Sequence, residues 1–88
     1  MEETKRVLII SHEVDLSLLM KSYYVRKGYA VQCAYTLTKG LASAMEIQPH
    51  LIFLDTELFG ELEEFQDKLK RVAPHAQIKT PKDGTSIT

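Results

Sequence analysis

The chain has 88 residues, of which 44% are apolar and 26% are charged, and its formal net charge at pH 7 is −1. A chain of this length forms one small domain, and its balanced charge provides neither a basic field for nucleic acid nor an acidic tail. Its single cysteine, Cys33, excludes an internal disulfide and lies in an apolar run, so we expect a buried thiol. No apolar stretch near the charged N-terminus is long enough for a signal sequence or a membrane span. We therefore expect a cytoplasmic protein that binds neither membranes nor nucleic acid.

The first third of the chain predicts a strand, a helix and a second strand. Residues 7–10 form a continuous apolar run, which is typical of a strand covered on both faces. Residues 15–27 predict a helix that ends at Gly28, because glycine adopts positive φ without a Cβ clash. The apolar positions at helical spacing, which we expect to face the core, are Leu16, Leu19, Met20 and Tyr23. Residues 29–34 predict the second strand.

The remainder of the chain continues this alternation. Thr36 or Thr38 caps a second helix that ends at Pro49, residues 51–54 form a third strand, and a third helix ends at Pro74. The apolar faces of these helices consist of Leu37, Leu41, Ala44 and Met45 in the second, and of Leu58, Leu62, Phe65, Leu69 and Val72 in the third. Residues 76–79 form a short fourth strand. The pattern predicts an α/β domain over 1–79, with a parallel sheet, and a polar loop or tail over 80–88.

Polar side chains follow the first and third predicted strands. Asp55 comes directly after residues 51–54, and Ser11 and His12 come directly after residues 7–10. In open α/β sheets the functional crevice lies at the carboxyl ends of the strands, so Asp55 is well placed for chemistry. Ser11 and His12 are poor substitutes for the carboxylates that would hold a metal ion beside it.

Four segments, in their order and spacing, resemble the receiver domain of two-component response regulators. They are residues 6–10 followed by Glu13, residues 28–31, residues 40–44 and residues 49–55. The resemblance implies a flavodoxin-like parallel sheet with strand order 2-1-3-4, truncated before the fifth strand of a full receiver. It also implies that Asp55 occupies the phosphoacceptor position, and that Ser11 and His12 occupy the positions of the family's acidic pair. The first and third strands would then be neighbours, which would bring Ser11, His12 and Asp55 to one edge of the sheet.

The chain departs from this family at positions that bind the metal ion and switch the domain. The acidic pair is replaced, Phe59 stands where proline is usual, and the family's switch Ser/Thr and its lysine have no clear match. The resemblance implies Mg²⁺ ligands from the acidic pair, the acceptor aspartate and a loop carbonyl, here that of Glu57. Since Mg²⁺ prefers oxygen ligands, we expect no cofactor, or weakly bound Mg²⁺ with Glu13, Asp55 and Glu57 as candidate ligands.

Three interpretations of His12 stay open. In the first, it pairs with Asp55 by a hydrogen bond and holds the site in one state. In the second, it binds a softer metal such as Zn²⁺ together with Asp55. In the third, it points to solvent. The other two histidines, His50 and His75, are expected at the surface because each lies at the end of an element.

The leading functional hypothesis is an atypical receiver-like signalling module that is not an enzyme. It would act in phosphorelay signal transduction by contact with a histidine kinase or another signalling protein, with homodimerisation or strand exchange through uncovered edges. The alternative is a functional receiver that a histidine kinase phosphorylates on Asp55, with its ion site rebuilt from Glu13 and the Glu57 carbonyl. A third explanation is that the chain is a fragment of a longer regulator.

Overall fold

A computed structural model describes residues 4–55 and 62–80, which form a four-stranded parallel sheet with helices on both faces. The strands are β1 (Arg6–Ile10), β2 (Ala30–Ala34), β3 (Leu51–Leu54) and β4 (Gln77–Lys79), and the helices are α1 (Val14–Arg26), α2 (Leu37–Ile47) and α3 (Glu63–Val72). The spatial order of the strands is β2-β1-β3-β4. The predicted flavodoxin-like sheet with order 2-1-3-4 is therefore confirmed, and the predicted strands agree with the observed ones to within a residue. The part of the predicted third helix around Leu58, and the predicted tail beyond residue 80, lie outside the described residues.

The sheet brings the ends of β1 and β3 together. In its register Ile10 of β1 lies opposite both Ala34 of β2 and Leu54 of β3. The ladder continues one step beyond the strands, because the Ser11 amide donates to the Ala34 carbonyl at 3.0 Å and the Asp55 amide donates to the Ile10 carbonyl at 3.0 Å. Residues 11 and 55 are thus placed side by side by the backbone.

One face of the sheet, here called the core face, carries a closely packed apolar cluster beneath α2 and α3. Its buried members are Leu8, Ile10, Ala34, Ala44, Ile52, Leu54, Leu69 and Ala73. Gly40 lets α2 approach β1, since a Cβ at this position would lie 2.7 Å from Cδ1 of Ile10. Met45 was predicted to join this face but is 57% exposed. Met45 is exposed because the buried side of α2 is centred on Gly40 and Ala44.

The opposite face, here called the α1 face, is covered differently. Val7 and Ile9 of β1 are buried there, yet the fully buried residue of α1 is the small Ser17. The predicted apolar stripe of this helix is wrong for three of its four residues, because Leu16 and Tyr23 are exposed and Leu19 is 70% exposed, whereas Met20 is half-buried. Ser17 packs close to the sheet, where the Cys33 thiol lies 3.9 Å from its carbonyl oxygen. Most of the larger apolar side chains of α1 are exposed, namely Val14, Leu16, Leu18, Leu19, Tyr23 and Val25. Cys33 is half-buried.

The helix ends follow the local sequence signals. The amides of Gly28 and Tyr29 donate to the carbonyls of Val25 and Tyr24 at 2.9 and 3.0 Å, with Gly28 at φ +94°, which is the Schellman arrangement expected where a glycine stops a helix. Thr36 caps α2 by accepting the Lys39 amide at 3.1 Å. Within the described residues, no helix is both long and apolar enough to cross a membrane.

A polar network closes the amino end of the sheet, opposite to the edge that carries Asp55. The Arg6 side chain donates to the carbonyls of Ile47 and Gln48, and the Arg6 amide donates to Nδ1 of His50 at 3.0 Å. Gln48, in the left-handed region at φ 47°, donates from Nε2 to the Val72 carbonyl at 2.7 Å. The expected surface position of His50 is therefore wrong, since it is half-buried in this network. His75 is exposed as predicted.

Candidate functional site

The candidate site is a buried pair of side chains at the carboxyl ends of β1 and β3. Ser11 is the first residue after β1, and Asp55 is the first residue after β3. The Ser11 hydroxyl donates to Oδ2 of Asp55 at 2.9 Å. Ser11 is fully buried and Asp55 is 3% exposed, so this hydrogen bond is shielded from water and is stronger than the same contact at the surface.

Ser11 also holds the turn that leads into α1. The Glu13 amide donates to Oγ of Ser11 at 3.1 Å, so this hydroxyl accepts one hydrogen bond from the turn while it donates another to Asp55. Glu13 is the N-cap residue of α1, but its side chain makes no capping hydrogen bond. Its carbonyl instead accepts from the amide and the hydroxyl of Ser17, both at 3.0 Å. The position of Asp55 is thereby coupled to the start of α1.

The other predicted site residues lie further out or outside the described chain. The side chains of His12 and Glu13 are exposed, and Glu57 lies outside the described residues. The expectation that Ser11 and Asp55 meet at one edge of the sheet is met by the geometry. The three interpretations of His12, and the metal-ligand roles of Glu13, Asp55 and Glu57, stay predictions.

The described donor set does not match the needs of a hard divalent cation. Within residues 4–55 and 62–80, no group of three or more His, Cys, Asp or Glu side chains is arranged to hold a metal ion. The carboxylate of Asp55 has the neutral hydroxyl of Ser11 as its neighbour, whereas Mg²⁺ in proteins is bound through one or two carboxylates, waters and phosphate oxygens. The described residues therefore fit Mg²⁺ poorly.

The carboxylate of Asp55 is held by a hydrogen bond and enclosed by its surroundings. A hydroxyl donor on Oδ2 draws electron density from the carboxylate, and 3% exposure restricts the approach of an incoming group. Sequence reasoning missed this role of Ser11, which it treated only as a weak metal ligand. The parallel register indicates only that the two residues are neighbours, since residues that follow two paired parallel strands lie next to each other.

The comparisons with known proteins identify the fold. No family model and no curated protein sequence matches the chain, but solved structures do. A response regulator from Burkholderia pseudomallei, determined with a phosphorylated aspartic acid, a calcium ion and citrate, superimposes with a TM-score of 0.79 at 23% identity over 86% of this chain. A CheY-like receiver domain protein from Methanospirillum hungatei JF-1 gives 0.79 at 24% identity over 96% of the chain. A receiver domain protein from Clostridium thermocellum gives 0.76 at 19% identity over 86%.

The chain has the fold of the receiver domains of response regulators. The resemblance inferred from four short segments is thus confirmed at the level of the fold. The chain spans 45% of the Burkholderia pseudomallei protein, 63% of the Clostridium thermocellum protein and 70% of the Methanospirillum hungatei protein.

Proposed function

We propose that the chain is an atypical receiver-like module of two-component, phosphorelay signal transduction, which acts by protein–protein contact and is not an enzyme. The observation that carries this proposal is the buried hydrogen bond from Ser11 to Asp55 at 2.9 Å. The receiver fold supports the signalling context, and the altered surroundings of Asp55 support the atypical mode. We place the module in the cytoplasm, because a chain with a single cysteine and no internal disulfide fits a reducing compartment.

The chemistry of phosphoryl transfer supports an inactive acceptor. Transfer to a carboxylate depends mainly on positioning and on neutralising the charge of the phosphoryl oxygens. Ser11 contributes a neutral hydroxyl where the resemblance implies a carboxylate that binds a cation, and this hydroxyl is directed at the acceptor itself. Asp55 is therefore held in one arrangement, and the module would signal through its surface without changing its phosphorylation state.

The second candidate function is a receiver that a histidine kinase phosphorylates on Asp55. The observation that favours it is that an aspartate stands at the end of β3, at the carboxyl edge of the sheet, where α/β folds place their functional sites. In this case Glu13 and the Glu57 carbonyl would complete the ion site. Mg²⁺ binding that disappears in Asp55→Asn would favour this function.

The test is the intact mass of the protein after incubation with a small-molecule phosphodonor and Mg²⁺. We expect no added phosphoryl group in the parent or in Asp55→Asn, with both folds intact by circular dichroism. The double variant Ser11→Asp/His12→Asp carries the acidic pair that the resemblance implies, and its modification would show that the assay reports on this site. A gain of one phosphoryl group in the parent that is lost in Asp55→Asn would contradict the proposal and establish the second function.

The partners that we propose are a histidine kinase or another signalling protein, with self-association as a further mode. Of the strands described, β2 and β4 lie at the two edges of the sheet, and edge strands offer unpaired backbone groups to another chain. Homodimerisation or strand exchange would appear in light scattering as a mass that rises with concentration. A constant monomer mass from micromolar to millimolar concentration would exclude self-association and leave a different protein as the partner.

A further inference from the structure

The strongest feature outside the candidate site is a cavity of about 340 Å³ at the amino end of the sheet, opposite to the edge that carries Asp55. Its volume lies at the lower end of the range that is typical of small-molecule sites. Lysines and tyrosines dominate its lining, and we call it the basic aromatic pocket: Tyr23, Tyr24, Tyr29, Lys5, Lys27 and Lys79. The size and shape of this cavity suit a small ligand.

The sheet itself fixes the floor of the pocket. Lys5, Tyr29 and His50 each come directly before a strand, and parallel pairing brings these three positions to one edge of the sheet. The Ala30 amide donates to the Lys5 carbonyl at 2.9 Å, and the Gln77 amide donates to the His50 carbonyl at 2.9 Å. The backbone of the floor is therefore held in place by the sheet, without help from a ligand.

Positive charge reaches the pocket from three separate parts of the chain. Lys5 precedes β1, Lys27 caps α1 and Lys79 ends β4. No carboxylate is present among the described residues of the lining, of which the others are His50, Leu51 and Gln77. Since the whole chain has a net charge of −1, the pocket is a local excess of positive charge. Ammonium groups that converge on a concave site raise the local concentration of anions.

The tyrosines form an ordered wall that adds no negative charge. The Tyr24 ring makes edge-to-face contacts with Tyr23 at 5.1 Å and with Tyr29 at 5.6 Å between centroids. Burial, together with these neighbouring phenols, raises the pKa of Tyr24, so its hydroxyl stays protonated. Lys27 Nζ lies 4.9 Å from the centroid of the Tyr23 ring, and a hydrogen bond with Tyr23 raises the pKa of Lys27. The wall therefore combines neutral phenols with a charged ammonium group.

The donors of the pocket match the oxygens of a phosphate better than those of a carboxylate. Nδ1 of His50 accepts the Arg6 amide at 3.0 Å, so Nε2 is the ring nitrogen that can donate, and His50 lines the pocket together with the three lysines. A phosphate group carries about two negative charges and three strong acceptor oxygens. A diphosphate can therefore accept from all three lysines at once, whereas a single carboxylate has only two oxygens.

We propose that the basic aromatic pocket binds a small molecule that carries a diphosphate group. Lys5, Lys27 and Lys79 would donate to the diphosphate oxygens in charge-assisted hydrogen bonds, and the tyrosine rings would pack against the rest of the ligand. The site is separate from the proposed function, because it lies at the opposite end of the sheet from Asp55 and requires no phosphoryl transfer.

The test measures the binding of pyrophosphate and ADP to the full chain by isothermal titration calorimetry, in buffer without Mg²⁺ or a phosphodonor. We expect both probes to bind, with orthophosphate about tenfold weaker and adenosine showing no binding. The affinity for pyrophosphate should fall about tenfold between low and high salt. A tighter complex with ADP than with pyrophosphate would identify a nucleotide as the source of the diphosphate, and equal or weaker binding of ADP would identify an inorganic one.

Matched variants and amide chemical shifts locate the site. Lys27→Glu and Lys79→Glu should each weaken pyrophosphate binding about tenfold, whereas Lys39→Glu, which makes the same charge change on α2, should leave the affinity unchanged. Circular dichroism verifies the fold of each variant. In the parent protein, pyrophosphate should shift the amides of Tyr29 and Gln77 at the floor of the pocket. Equal weakening by Lys39→Glu, adenosine binding as tight as that of ADP, or no pyrophosphate binding would overturn the proposal.

A further variant separates this site from the candidate site at Asp55. The titration is repeated with Asp55→Asn, for which we expect the same affinity for pyrophosphate. Chemical shifts confined to Ser11 and Asp55, or an affinity that changes in Asp55→Asn, would show that the diphosphate binds at the candidate site and would overturn the proposal. Failure of pyrophosphate to bind leaves the mass test of Asp55 unaffected, and phosphorylation of Asp55 in that test leaves the binding result unaffected.

Discussion

The two faces of the sheet show two different ways of covering the same strands. On the core face, α2 and α3 enclose a cluster in which eight apolar residues are buried. On the α1 face, Val7 and Ile9 are equally buried, but the helix above them contributes Ser17 as its buried residue and exposes Leu16, Leu19 and Tyr23. The core face supplies most of the apolar burial that stabilises the domain, whereas the α1 face keeps apolar area in contact with water.

The two faces separate leucine side chains that stabilise the fold from leucine side chains that remain exposed. Leucine side chains on α3 and α1 are chemically identical, yet one is placed where its burial stabilises the fold and the other where it is available to a partner. A helix whose buried residue is a serine, packed against a half-buried cysteine of β2, loses packing energy and retains an apolar surface. We therefore expect substitutions on the two faces to have separable effects.

The largest expected difference comes from removing the same leucine side chain on each face. Leu69→Ala should destabilise the fold by about 2–5 kcal/mol, because it creates a cavity in a fully buried site. Leu19→Ala should change stability by less than about 0.5 kcal/mol, since that side chain is 70% exposed. Urea denaturation measures both, and similar losses for the two variants would show that the faces do not differ.

The next effect tests how closely α2 packs on the core face. Gly40→Ala should cost about 1–3 kcal/mol through overpacking, since the new Cβ would lie 2.7–2.9 Å from three atoms of Ile10. Adding Ile10→Val removes Cδ1, the nearest of these atoms, and should recover part of the loss in a double-mutant cycle. Additive losses would mean that the helix and the strand are not in close contact.

A smaller effect concerns the polar end of the core face. Gln48→Ala removes the hydrogen bond from Nε2 to the Val72 carbonyl, which ties the end of α2 to the end of α3. We expect a loss of about 1 kcal/mol in unfolding free energy. Gln48→Gly should lose less, because glycine relieves the left-handed backbone at φ 47°. An equal loss for both variants would indicate that the backbone there is not strained.

The smallest effect reports on the α1 face through its cysteine. Burial raises the pKa of the Cys33 thiol, and Lys21 and Tyr35 oppose the shift only in part. The reaction rate of the folded protein with iodoacetamide should therefore rise at a higher pH than that of the urea-unfolded chain, within about pH 7 to pH 10. Since the unfolded chain ionises first, stability should fall as pH rises through the thiol range. Coincident profiles would mean that this face does not desolvate the thiol.

The sequence predicted the elements well because their signals are local. The run 7–10 and the glycine at position 28 are strong local preferences, and the alternation of strands and helices restricts the topology to few choices. The buried side of α1 was wrong because apolar residues occur almost all around this helix, so its periodicity does not select a face. Which side packs on the sheet is decided by the fit of Ser17 beside Cys33, and a helical pattern alone does not contain that fit.

The candidate site shows the same limit. The register of two parallel strands was enough to predict that Ser11 and Asp55 share an edge. The hydrogen bond between them depends on a rotamer and on the path of the turn through Glu13, which the spacing of residues does not specify.

The central position of β1 has a consequence for biosynthesis. Of the four described strands, β1 is synthesised before the others, but its two sheet partners are complete only when the chain has been made through Ala34 and then Leu54. Its apolar residues therefore stay exposed until pairing strands that are distant in sequence have been synthesised. Such nonlocal parallel pairing is slow and exposes nascent chains to aggregation. The contact between Ser11 and Asp55, 44 positions apart, cannot form before most of the sheet has been synthesised.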